Sequence, residues 1–249
     1  MIKAAKELLT LGLLLFCVSG ASYGDVWTLV SSYPTPGSNP RGYWGIGPEA
    51  GYIVMDGGEP HVYFYSWTSS SIVWSFPAPG GPGAWGIAKI TGSGFFITNN
   101  RTSWIYEATT QGSVVNSFQC PFDGPADCEF AWPGFIIAVP DRNIIAVLNY
   151  TTGSLIGTYA GPGRRPTGCG GYAHFYVADA ATHKIYEDAV PIIAGIQTPV
   201  GFSYTWSMEP PYDIKLYVVD DATDYYYYYA RTSGDIVPAS LGRVKALFE

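Results

Sequence analysis

Five short apolar segments recur along the chain: 52-YIVMD-56, 95-FFITN-99, 135-FIIAV-139, 175-FYVAD-179 and 216-LYVVD-220. Their last residues, taken as anchors at 56, 99, 139, 179 and 220, are spaced 43, 40, 40 and 41 apart. Four positions before each anchor stand Tyr52, Phe95, Phe135, Phe175 and Leu216; two before it stand Val54, Ile97, Ile137, Val177 and Val218. Continuous apolar runs of this length predict strands buried on both faces.

Three further segments keep company with each anchor strand. Five residues past the anchor the chain reads 61-HVYF-64, 104-WIYE-107, 144-IIAV-147, 184-KIYE-187 and 225-YYYY-228. Strands ending in a Pro/Gly loop follow, as in 72-IVWSFPAPG-80, 113-SVVNSFQCPFDG-124 and 154-SLIGTYAGPG-163, with 26-VWTLVSSYPTPG-37 as an earlier copy and 190-VPIIAGIQTPVG-201 as a degenerate one. Upstream of each anchor an innermost strand is expected at 42-GYWGI-46, 84-AWGIA-88, 127-DCEFA-131, 168-GCGGY-172 and 205-TWSME-209. Four strands in about 41 residues cannot bury both faces of their own sheet, and radial stacking solves that problem. The pattern predicts an all-β fold, a β-propeller of four-stranded blades. Five blades are expected, with Val26–Tyr33 closing the ring as the last strand of the last blade; a ring of six with an irregular sixth blade is the alternative. The propeller spans 25–240, and 241–249 is left as a tail or an extra strand.

Composition agrees with strands and turns. Charged residues are 13% of the chain against 16% aromatics, and glycine occurs 30 times. Residues 1–24 have Lys3 and Lys6, an apolar core from Leu8 to Val18, and small residues at Ser19, Gly20, Ala21, Ser22 and Gly24. That layout predicts a secretory signal peptide cleaved after Ala21 or Gly24, and a secreted protein, extracellular or periplasmic. No second apolar run approaches membrane length, so no membrane insertion of the mature chain is expected. Loss of Lys3, Lys6 and Glu7 moves the formal net charge from −7 to −8. An acidic chain is a poor partner for nucleic acid, whose binding is driven by clustered Lys and Arg.

The segment 175-FYVADAATHKIYE-187 resembles an NHL repeat, and 216-LYVVDDATDYYYYY-229 is a weaker copy. Residues 26–240 as a whole are similar to the NHL, YVTN and gluconolactonase-like group of β-propellers, in particular to secreted bacterial proteins with S-S-F-P-x-P-G repeats. The tryptophan-aspartate signature of WD40 repeats is absent. The resemblance implies a propeller that binds partners. Its gluconolactonase-like members hold a divalent metal near the axis, and the streptogramin lyases use His and Glu with a metal. Of the three histidines here, His61, His174 and His183, two stand beside predicted turns, so no family residue is carried over.

The loops after the second and fourth strands open on one face, gathering Asp56, Glu59, Asn99, Asn100, Asp123, Asp141, Asp179, Asp220, Asp221 and Asp224. Such oxygens suit calcium, but Asp or Asn at a strand end also caps the turn that follows it. On the innermost strands, Trp85, Cys128, Cys169 and Trp206 are expected in equivalent slots, with Trp44 or Tyr43 as the first member. With Arg41, Arg164 and Arg165 nearby, these aromatics could line a mouth for a glycan or a peptide, or simply pack between blades. Asp127, Glu129 and Glu209 are the carboxylates best placed for chemistry. Cysteines 120, 128 and 169 remain after processing; a Cys120–Cys128 disulfide is expected, with Cys128–Cys169 as its rival. The run Tyr225–Tyr229 resolves into two ordinary third-strand residues, Tyr226 and Tyr227, and three positions, Tyr225, Tyr228 and Tyr229, that could form an aromatic surface. Two functions follow: a monomeric, non-catalytic binding or scaffold module for protein or glycan, or a metal-dependent hydrolase or lyase of the gluconolactonase or streptogramin-lyase kind.

Overall fold

The computed structural model describes residues 26–47, 51–66, 68–69, 71–90, 94–131, 134–171, 174–206 and 214–232. The described chain begins with β1 (Val26–Pro34). Blade 1 comprises β2 (Pro40–Gly47), β3 (Gly51–Asp56), β4 (His61–Ser66) and β5 (Ser71–Pro77). Blade 2 comprises β6 (Ala84–Ile90), β7 (Gly94–Asn99), β8 (Trp104–Thr109) and β9 (Val114–Gln119). Blade 3 comprises β10 (Cys128–Ala131), β11 (Gly134–Val139), β12 (Ile144–Asn149) and β13 (Leu155–Ala160). Blade 4 comprises β14 (Pro166–Gly170), β15 (Tyr176–Asp179), β16 (Lys184–Glu187) and β17 (Val190–Ala194). Blade 5 comprises β18 (Pro199–Trp206), β19 (Ile214–Asp220) and β20 (Tyr225–Thr232), and β1 completes it. The protein is therefore a five-bladed β-propeller of antiparallel four-stranded sheets. The N-terminal strand closes the ring, with Tyr33 opposite Tyr226 and Val26 opposite Thr232.

Burial follows the apolar pattern. Every residue of β3, β7 and β11 is buried, whereas the outermost strands β5, β9 and β13 are mostly exposed. The core divides into five clusters, one per seam between neighbouring blades. Alternation explains how one strand serves two seams. In β19, Leu216 and Val218 face blade 4 while Tyr217 and Val219 face blade 1.

The tyrosine run obeys the same rule. Tyr226 is fully buried, stacked on Tyr33 at 5.3 Å and against Tyr52 at 4.7 Å. Tyr228 stacks on Tyr217 at 5.2 Å, and Tyr227 and Tyr229 pack into the seam with blade 4. Only Tyr225, 39% exposed, remains a surface residue. The aromatic surface expected of Tyr225, Tyr228 and Tyr229 is thus reduced to one ring.

Register corrects the innermost strands of blades 2 and 5. Opposite Val54, Ile97, Ile137, Val177 and Val218 stand Tyr43, Ile87, Cys128, Cys169 and Phe202. Trp85 is therefore two residues before its expected slot, and Trp206, opposite Ile214, lies four residues beyond it. The long 207–213 connection of blade 5 displaced the pattern, because the anchor spacing counts the whole repeat and not the hairpin within it.

The residue preceding each true slot is Gly42, Gly86, Asp127, Gly168 or Gly201. Four glycines in one slot have a steric cause. A Cβ on Gly201 would lie 1.9 Å from the Arg41 carbonyl oxygen of blade 1, one on Gly42 2.6 Å from Ile87 N of blade 2, and one on Gly86 2.5 Å from Asp127 Cα of blade 3. On Gly168 it would lie 2.8 Å from Phe202 Cβ of blade 5. Neighbouring innermost strands approach so closely that backbone packs on backbone.

Gly201→Ala and Gly86→Ala should each destabilise the protein by about 2 kcal/mol or more through overpacking. Gly157→Ala, where a Cβ meets nothing within 4 Å, should stay within about 0.5 kcal/mol. Chemical denaturation of the three variants checks both, and equal losses at Gly157 and Gly201 would remove the steric argument.

Candidate functional site

The Asp and Asn anchors of the loop face are fully used by the fold. Asp179 accepts the backbone N–H groups of Arg164 at 2.7 Å and Arg165 at 2.5 Å on one oxygen, and Thr182 N at 2.8 Å on the other. Asp220 accepts Gln197 N, Thr198 N and Ala222 N, and Asp56 accepts Ser38 N and Gly58 N. Asn99 accepts Arg101 N and Thr102 N through Oδ1 and donates from Nδ2 to the carbonyl of Gly80. Each anchor thus ties its own turn to the loop entering its blade. Blade 3 has Val139 there instead, and a 3-10 turn over Pro140–Arg142 followed by Asn143 at φ 52° takes its place. Among the described residues no group of three or more His, Cys, Asp or Glu side chains is arranged to hold a metal ion.

The expected site residues separate into distinct places. Asp127 and Glu129 come together on β10 and the loop before it. Asp127 occupies the glycine slot and is fully buried, and its Oδ2 accepts Phe202 N of blade 5 at 2.8 Å. Blade 5 is not a neighbour of blade 3, so this bond crosses the ring. Asp127 Oδ1 is buried without a hydrogen-bond partner among the described residues. Burial pushes the Asp127 carboxyl well above the usual carboxylate range, against the opposing pull of the Phe202 N–H. Glu129 is 6% exposed, and its Oε1 accepts Phe130 N at 3.1 Å. Desolvation raises its pKa to about 8. Burial thus moves both carboxyls in the same direction, toward the protonated form.

Trp85 makes a second crossing, from blade 2 to blade 5, where its Nε1 donates to the carbonyl of Val200 at 3.1 Å. It packs against both the seam of blades 5 and 1 and the seam of blades 3 and 4. The Arg41 guanidinium lies 4.5 Å over its ring and pairs with Asp221 at 2.7 Å. The aromatic expected at a channel mouth is therefore a half-buried cross-ring brace under an arginine. Arg164 is exposed on the rim. Trp44 lies in β2 opposite Ile53; its side chain and that of Trp206 lie outside the described residues, as does all of Glu209.

The expected Cys120–Cys128 disulfide is absent, for Cys120, Cys128 and Cys169 are all free and buried. Cys120 is held at the outer edge of blade 2 by the Ser103 carbonyl, 2.7 Å from its N–H, while Cys128 sits on the innermost strand of blade 3 with Sγ toward the Phe96 carbonyl. The rival partner Cys169 directs its thiol to the Asp127 carbonyl oxygen at 3.5 Å. Burial raises the pKa of all three thiols, which suits packing and not nucleophilic attack.

One cluster was not anticipated from sequence. At the opposite end of the blades, His174 Nδ1 meets Asp188 Oδ2 at 2.6 Å and Glu187 Oε1 at 3.6 Å. Glu187 is also held by Tyr176 Oη at 3.0 Å and by Arg231 of blade 5 at 3.0 Å. The hydrogen bond to Asp188 raises the His174 pKa. Asp188 and Ala189 form the intervening turn at φ 46° and 73°, an uncommon conformation for non-glycine residues. The β15–β16 register, which places His174 and Asp188 together at the hairpin mouth, is not written in the sequence.

A raised carboxyl pKa favours the protonated folded state, so stability is highest at low pH and falls as pH rises between the unfolded and folded values. For Glu129 that window runs from 4.5 to about 8, at roughly 1.4 kcal/mol per pH unit. Asp127 and His174 shift in the same sense, so the wild-type protein should lose stability from pH 5 to pH 8. Glu129→Gln should make that decline shallower by about one proton's slope. Denaturant titrations at pH 5, 6.5 and 8 check it, and parallel curves for the two proteins would contradict a protonated Glu129.

No family model matches the chain, and no curated protein matches it in sequence. Solved structures do resemble it in fold. Glutaminyl cyclase of Myxococcus xanthus superposes with a TM-score of 0.63 at 10% identity, covering 85% of this chain and 98% of that one. The WD40 β-propeller domain of Doa1 gives 0.50 at 12% identity, covering 76% and 62%. Virginiamycin B lyase from Staphylococcus aureus gives 0.48 at 16% identity, covering 79% and 68%. At these identities the likeness is one of architecture: the chain has the fold of the β-propellers.

Proposed function

We propose that the protein is a secreted binding or scaffold propeller that engages a protein partner through its outer strands. One observation carries the reading. Leu29–Val30, Ile72–Val73, Val114–Val115 and Leu155–Ile156 are aliphatic pairs at one register position of four blades, each residue 47–61% exposed. Each pair sits at a β-bulge, where the register shifts between Leu29 and Ser31 and at the matching positions of β5, β9 and β13. Bulges blunt an edge strand against unwanted pairing, but charged side chains serve that purpose better than Val and Ile. Single exposed aliphatics are ordinary; the same pair repeated around the rim is a surface suited to contact. The leader-like residues 1–24 support export.

A second reading, a metal-dependent hydrolase or lyase, is favoured by the unpartnered Asp127 Oδ1 beside Glu129. Two carboxyls alone leave most of the six to eight oxygen positions of calcium to other ligands.

The triple variant Val73→Asp, Val115→Asp, Ile156→Asp tests the first reading against the immobilised wild-type protein. Surface and secreted proteins of the source organism should be retained by the wild type and lost about tenfold or more by the variant, with its melting temperature within a few degrees. Equal retention by both proteins would remove the rim as the binding surface. A thermal shift with added calcium would move support to the second reading.

A further inference from the structure

Every loop on the anchor side of the ring is described, and its surface charges sort by blade. Arg101 of blade 2, Arg142 of blade 3, and Arg164 and Arg165 at the entrance to blade 4 are all exposed. None of these four guanidinium groups has a hydrogen bond or an ion pair among the described residues. The anchor carboxylate beside Arg164 and Arg165, Asp179, is buried and is taken up by their backbone N–H groups instead. Asp123 and Asp141 are the exposed carboxylates of the same arc, two against four arginines. Blades 2, 3 and 4 stand in succession around the ring, so the excess of positive charge forms one continuous arc.

The rest of the face is acidic. Glu59 of blade 1 is exposed, and Asp221 and Asp224 of blade 5 are partly so, above the buried anchors Asp56 and Asp220. Arg41, the cation of this arc, is already committed to Asp221 at 2.7 Å. Partial burial raises the Asp224 carboxyl pKa, and the neighbouring Asp221, Asp56 and Asp220 push it the same way. Each arc also carries an exposed aromatic at the start of a third strand, Trp104 at 37% and Tyr225 at 39%.

We infer that two copies of this chain associate through the loop face, the basic arc of each seated on the acidic arc of the other. A two-fold axis lying in the plane of the face, between the arcs, makes both contacts at once, as an isologous interface requires. An acidic partner of another kind would satisfy the arginines and leave the acidic arc unmatched. A second copy supplies both charges from one surface. Opposite charges across the contact set its orientation and speed encounter, and Trp104 and Tyr225 supply aromatic contact of the kind that interfaces favour. The contact uses the ends of the blades, so the aliphatic pairs of the rim stay free for a different partner.

Analytical ultracentrifugation of the wild-type protein at about 100 µM should show a dimer in about 20 mM salt and a monomer in about 500 mM, where surface charges are screened. Arg101→Glu with Arg142→Glu and Arg164→Glu turns the basic arc acidic, and Glu59→Lys with Asp221→Lys turns the acidic arc basic. Each set should weaken self-association about tenfold or more, with the melting temperature within a few degrees. Mixing the two folded variants should restore a dimer, because each then meets the charge that it lacks. A wild type that stays monomeric in low salt, a dimer that salt does not dissociate, or a mixture of the folded variants that stays monomeric would overturn the proposal.

Discussion

The approach of five innermost strands to a common axis is the constraint on which the rest of the molecule depends. Backbone contacts as close as that between Gly201 and the Arg41 carbonyl leave no room for a Cβ, so the slot is glycine in four blades. The fifth occupant is Asp127, and its presence is informative. Its carboxyl reaches across the ring to Phe202 N, while Trp85 reaches across to the Val200 carbonyl. A ring closed by strand pairing at its rim is thereby also braced through its middle. Two polar groups that sequence offers as chemistry are, in the structure, part of that bracing.

A small ring also sets the polar economy of the loop face. Turns that enter and leave each blade expose backbone N–H groups, and the anchor carboxylates and the Asn99 amide collect them, two or three each. A charged acceptor satisfying several donors is among the stronger hydrogen-bonding arrangements available. The same economy recurs four residues on. The carbonyls of Pro60, Ser103, Asn143, His183 and Asp224 each accept an N–H from the end of an outer strand, at Ala78, Cys120, Gly161, Gly195 and Thr35. Four of these five residues adopt positive φ. At Asp56, Asn99, Asp179 and Asp220 the side chains that suit a cation in sequence therefore act as structural acceptors in the fold.

What sequence made legible followed from period. The anchor strands and the third strands repeat at nearly constant spacing, so blade number, ring closure by β1 and the buried identity of Tyr226 could all be read directly. What remained hidden depended on lengths inside the repeat. The longer first hairpin of blade 5 moved its innermost strand forward to Pro199–Trp206, so Phe202 escaped notice and Trp206 was given its slot. The glycine ring was hidden too, since Gly201 falls into line only after that correction and Gly86 only after the register shift between Ala84 and Ile87 is allowed for. Cysteine pairing needed radial position, which a linear spacing does not carry. The His174–Asp188 pair needed the register of one hairpin.

The position of Asp127 links architecture to whatever the axis does. A glycine there would have served close packing as its four counterparts do, and burying a carboxyl in its place costs solvation that the Phe202 N–H at 2.8 Å and the weaker pull of the Cys128 and Cys169 backbone only partly return. Protonation is the least costly way to hold such a group, which is why burial drives its pKa upward. Glu129, two residues on and within β10, is buried too, and its pKa moves in the same direction. Ring closure and the surroundings of these two carboxyls are consequently linked: the close packing that draws the strands together is what removes both from water and pushes both pKa values upward.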